Sequence, residues 1–102
     1  MQFDELPSYS KRVDEILNLD AQIAMGIELL ENPAAGDLIR GSKGLRKLRV
    51  AASGRGKRGG ARVIYYWFVS PEVITLCRIY RKNERENLPE SEIQQIAKEL
   101  GL

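Results

Sequence analysis

The chain has 102 residues, 43% of them hydrophobic and 29% charged, a balance that suits one folded domain over 1–102 with a modest core. It contains no histidine, which removes Ser-His and Cys-His catalytic arrangements, histidine metal sites and paired-histidine ribonuclease chemistry. Its net charge of +2 hides an uneven distribution: residues 1–37 hold eight acids and two bases, residues 38–71 hold nine bases and no acid, and residues 72–102 are nearly balanced.

The N-terminus, MQFDELPSYS, carries acid where a signal peptide needs base and an apolar stretch, so secretion is not expected. A short strand fits near residues 2–6. SYSKRVDEILNL then places Tyr9, Val13, Ile16 and Leu17 at helical spacing. Asp20 reads as the N-cap of a second helix, DAQIAMGIELLEN, with Ile23, Ile27 and Leu30 as its apolar stripe and the acids on its wet face. Asn32-Pro33 ends it, because the residue before proline avoids helical dihedrals.

From Leu45 the period changes to two. Leu48 and Val50 point one way and Lys47 and Arg49 the other. ASGRGKRGG reads as a hairpin connection, RVIYYWF as a second strand rich in β-branched and aromatic residues, and VITLCRIY as a third. The strands are expected near 45–51, 62–69 and 73–80, all antiparallel. Cys77, the lone cysteine, lies in the third and reads as a buried free thiol, in keeping with a reducing cytoplasm. The longest apolar run, VIYYWFV, is far below the roughly 20 residues a bilayer span needs, so no membrane role is expected. After RKNERENLP, the segment ESEIQQIAKEL repeats Ile93, Ile96, Ala97 and Leu100 at helical spacing, with Pro89 near its start. The order ααβββα gives an α+β domain: an antiparallel sheet of three to four strands, with two N-terminal helices and one C-terminal helix on one face.

The central basic block is the footprint of a polyanion site. GRGKRGG lacks the spacing of a phosphate-binding nucleotide loop, and the block holds no carboxylates from which to build a two-metal nuclease. No cofactor or metal is expected. What remains is a sheet face with Lys47, Arg49 and Arg62, joined by Arg78, Tyr80 and Lys82 from the third strand and just beyond. Such cations bind phosphates and stabilise the extra charge of a pentacovalent phosphate. RNA brings its own nucleophile, the 2′-hydroxyl, so cleavage needs in-line positioning, a proton acceptor and a charge clamp. Tyr65, Tyr66 and Trp67 offer stacking surfaces, although aromatics in a central strand more often belong to the core.

The linked elements NPxxGxxIxGxxGLRKxR, GKRGGxRVIYY and YxKNExxxL, running from Asn32 to Leu88, resemble the RelE superfamily of bacterial toxins, and most closely its HigB-like branch. The resemblance implies a microbial-ribonuclease-like domain that cuts mRNA on the ribosome by metal-free 2′-hydroxyl attack and so inhibits translation. It also implies a cytoplasmic toxin–antitoxin system, whose HigA-like helix-turn-helix antitoxin neutralises the toxin and binds operator DNA. By position, Lys47 and Arg49 match the family's paired basic residues and Arg62 the arginine on the scissile phosphate, while Lys82 matches the basic residue after the last strand. Arg46, Arg55, Lys57, Arg58 and Arg78 are expected to contact RNA and ribosome. The tyrosine that some members carry near the C-terminal helix has no counterpart, since Leu88 and Pro89 stand there. Tyr80 or Glu84 is expected to take its part, beside Lys47 and Lys82 as candidates for proton transfer and charge neutralisation, a lysine crowded by other cations losing its proton more easily. Two other readings stand beside this one: a gyrase poison of the related ParE branch, and a non-catalytic basic nucleic-acid-binding module.

Overall fold

The computed structural model describes residues 1–51, 60–85 and 87–102. In chain order the elements are β1 (Gln2–Glu5), α1 (Pro7–Ser10), α2 (Val13–Ile16), α3 (Leu19–Glu31), β2 (Asp37–Leu38), β3 (Arg46–Val50), β4 (Ala61–Phe68), β5 (Val73–Arg81) and α4 (Glu90–Leu100). The sheet order is β1-β5-β4-β3-β2. The antiparallel meander β3-β4-β5 lies where the period-two pattern put it.

The sheet departs from expectation at both edges. β1 pairs parallel to β5, with Phe3 opposite Ile74, so the sheet is not wholly antiparallel. β5 is buried along nearly its whole length and needs a partner on its outer edge. The N-terminal strand supplies one, then hands the chain to the helices that cross to the far side. β2 is only two residues long, too short to show a period, and pairs with β3.

Helices cover both faces of the sheet rather than one. Ala61–Tyr65 and Ile74–Tyr80 are almost continuously buried, the signature of strands covered on both sides. On the first face, Tyr9, Val13, Ile16, Leu17, Met25 and Leu29 from α1–α3 pack on Leu48, Val50, Val63, Tyr65, Ile74, Leu76 and Ile79. On the second, Ile96 of α4, with Ile93 and Leu100, packs on Leu45, Ile64, Cys77 and Tyr80. A β-bulge between Ile64 and Tyr65 leaves Cys77 as the extra residue of β5. It shifts the alternation by one, so that Ile79 rejoins the first face while Arg78 and Tyr80 share the second with Ile64 and Arg62.

The first expected helix breaks into the single turns α1 and α2. Leu17 turns extended to bury its side chain, and Asn18 caps α3 by accepting a 2.8 Å bond from the Ala21 N–H, the role expected of Asp20. The apolar stripe of α3 is also displaced. Met25 and Leu29 are buried, whereas Ile23, Ile27 and Leu30 are each 52% exposed. Apolar residues surround this helix on two sides, so its pattern does not single out the buried row. At the other end of the chain, Pro89 caps α4 and Gly101 closes it in the left-handed region, at φ 78°. Among the described residues no helix is long and apolar enough to cross a membrane.

Candidate phosphate-binding cleft

On β3 the side chains alternate. Leu48 and Val50 enter the first core, and Lys47 and Arg49 stand on the other face, beyond the reach of α4. Arg62 of β4 sits directly opposite Arg49 in the register. Like charges facing each other across adjacent strands destabilise a sheet, so this pair makes physical sense with an anion between them. Together with Lys82, just after β5, these residues line an open cleft of about 680 Å³. Four of the six residues expected to do chemistry are thus brought into one site.

The cleft also contains residues that the sequence reading did not assign. Arg40 and Asp37 come from β2 and the turn after it, and Arg85 and Asn87 from the segment before α4. Arg40 belongs to the basic block and Arg85 to the charged connection, so both were visible as charge without a location. Asp37 ends the acidic third of the chain and gave no such signal. Arg85 is held in place: its guanidinium makes bonds of 2.6 and 3.3 Å to the Glu92 carboxylate and stacks over the Tyr80 ring at 4.8 Å.

Other expected residues lie elsewhere. Tyr80 is 1% exposed, and its hydroxyl has no partner among the described residues. Burial pushes its pKa up, opposed by the nearby charges of Arg85 and Arg62. Glu84 does not line the cleft. Its carboxylate accepts from the backbone N–H of Arg81 and from Arg12, which together hold it below the usual carboxylate range. Arg78, expected on RNA, is buried beneath α4, where it bonds Glu92 at 3.1 Å, forks onto Glu99 at 3.1 and 3.2 Å, and meets the Ser8 hydroxyl. It pins helix to sheet. Arg46 alternates to the first face and donates to the carbonyls of Gly36 and Ala34 at 2.8 and 3.3 Å. Arg55, Lys57 and Arg58 lie outside the described residues. Tyr65 is fully buried, and Trp67 and Tyr66 pack against the two cores, so the aromatic strand is core rather than stacking surface. Cys77 is a buried thiol, with its pKa pushed up to about 12 by desolvation.

No model of a known protein family matches the chain. Among solved structures it is similar to the E. coli toxin RelE, determined in the free state as an arginine double mutant. The TM-score is 0.63 with 18% sequence identity, over 99% of this chain and 97% of that one. The likeness establishes a RelE-like fold.

Proposed function

We propose that this chain is the toxin of a type II toxin–antitoxin system, of the HigB-like branch, and cuts mRNA on the ribosome. The carrying observation is the convergence of Lys47, Arg49, Arg62 and Lys82 on one open cleft, with two arginines facing each other across the strands. Cations in this arrangement hold a phosphodiester and take up the charge that develops on it, while the RNA 2′-hydroxyl serves as nucleophile. Arg49 and Arg62 hold the scissile phosphate. Lys47 and Lys82 neutralise it, and Lys82 is the proton donor to the departing 5′-oxygen. The RelE-like fold, and the sequence elements shared with the HigB-like branch, support the same reading. A helix-turn-helix antitoxin is then the partner that restrains the chain and carries it to operator DNA.

The test is to supply or withhold ribosomes and map the ends of the mRNA. Ribosome-dependent cuts that leave a 5′-hydroxyl and a 2′,3′-cyclic phosphate support the proposal. Ends bearing 5′-phosphate, or intact mRNA with inhibited gyrase, overturn it.

A further inference from the structure

We infer that Asp37 is the proton acceptor for the attacking 2′-hydroxyl, an inference that rests on the function proposed above. Cleavage of this kind needs a group that is unprotonated at neutral pH, open to the substrate and beside the phosphate clamp. Among the described residues the cleft is lined by six cations: Arg40, Lys47, Arg49, Arg62, Lys82 and Arg85. Its other lining residues besides Asp37 are Leu38, Ile39 and Asn87, none of which takes up a proton. Asp37 is therefore the one carboxylate among the described residues of its lining. Glu84 is engaged by Arg12 and a backbone N–H outside the cleft, and Tyr80 is sealed beneath Arg85.

The fold places this carboxylate with some care. Asp37 stands opposite Lys47 in the β2–β3 register, one strand further from Arg62 than Lys47 is, so its side chain shares the face of the cations. It is exposed and forms no ion pair with any described residue. The backbone before it is fixed on both sides. The Gly36 N–H donates to the Tyr65 hydroxyl at 2.9 Å, and the Gly36 carbonyl accepts from Arg46 at 2.8 Å. Only glycine fits there: a Cβ would lie 2.8 Å from the Tyr65 ring and 3.0 Å from the Lys47 carbonyl oxygen. A solvated aspartate that merely balanced Lys47 would not need so rigid a seat.

In the step, the O2′–H proton passes to the Asp37 carboxylate as O2′ bonds to phosphorus. The P–O5′ bond breaks, its electron pair stays on O5′, and the Lys82 ammonium protonates that oxygen. The products are a 2′,3′-cyclic phosphate and a 5′-hydroxyl. Protonated Asp37 and neutral Lys82 restore themselves through solvent.

The experiment measures single-turnover cleavage of mRNA on programmed ribosomes. It compares a normal scissile linkage with one whose bridging 5′-oxygen is replaced by sulfur, a leaving group that departs without protonation. Asp37→Asn should slow cleavage by about a hundredfold or more on both linkages, with ribosome binding and thermal stability unchanged. Asp37→Glu, which keeps a carboxylate, should recover much of the rate. Lys82→Ala should be slow on the oxygen linkage and restored on the sulfur one. Asp37→Asn at the wild-type rate, beside an impaired Arg62→Ala, overturns the acceptor role and leaves the proposed function standing. Restoration of Asp37→Asn by sulfur also overturns it, since the residue would then act on the leaving group. A wild-type chain that does not cleave overturns both.

Discussion

The two faces of the sheet are built from the same strands and finished in opposite ways. The first is closed: three helical segments lay Tyr9, Val13, Leu17 and Leu29 onto it, and its strand residues are almost fully buried. Among the described residues the second is closed where α4 lies, and beyond that helix Lys47, Arg49 and Arg62 line the open cleft. Along β3 the two finishes alternate residue by residue. Apolar burial on one side therefore offsets the repulsion between facing arginines on the other. The closed face supplies stability and the open face is free to carry charge.

The sharpest way to test this division is to remove charge from the open face. Loss of one preorganised contact to a developing phosphate charge typically costs about 2.7–4 kcal/mol. Arg62→Ala should therefore lower single-turnover mRNA cleavage by roughly a hundredfold or more. Its thermal midpoint should be unchanged or higher, because the Arg49–Arg62 repulsion is gone. Arg62→Lys should restore little, since a point charge does not reproduce the guanidinium fork. A lower midpoint in Arg62→Ala would mean that the open face is structural after all.

The converse experiment cuts into the closed face. Leu29→Ala should cost about 2–5 kcal/mol in denaturant unfolding, with cleavage per folded molecule unchanged.

That the open face existed was legible in the sequence, because β3 alternates cations with aliphatics over enough residues for a period of two to show. Its membership was not. Arg46 and Arg78 carry the same charge as their neighbours, yet one alternates to the other face. The other meets Glu92 and Glu99, carboxylates 14 and 21 residues further along the chain. Asp37 reaches the cleft through a strand of two residues, below the length at which any periodicity registers. The phase of α3 was hidden for the opposite reason, an excess of apolar residues around the helix.

Acid should open the second face before the first. Burial tends to raise the Glu92 pKa, but Arg85 and Arg78 outweigh it and hold the group below its usual range, and Arg78 does the same for Glu99. A carboxylate lowered in the folded state stabilises above its unfolded pKa, about 4.3, and loses that contribution as the pH falls through its folded value. Thermal midpoints should therefore drop on acidification below about pH 4, with α4 amides losing hydrogen-exchange protection ahead of the strands. Glu92→Gln should flatten that dependence.

The smallest effect expected is at the outer row of α3. Ile27→Ala, at a side chain 52% exposed, should change stability by no more than about 0.5 kcal/mol, in contrast to Leu29 two residues away. A cost near that of Leu29→Ala would show that the outer row is covered in solution.

One side chain ties the closed core to the segment that leads into the cleft. The Tyr65 ring lies in the closed core, while its hydroxyl donates to the Pro33 carbonyl at 2.7 Å and accepts from the Gly36 N–H just before Asp37. The consequence is genetic. Under the proposed function, a selection for chains that have lost their activity should return lesions deep in the interior, at Tyr65 and Gly36, beside those of the charged residues. Tyr65→Phe, which removes a single oxygen far from any phosphate, belongs to the first group, and such survivors will read as folding mutants until their cleavage rate per folded molecule is measured.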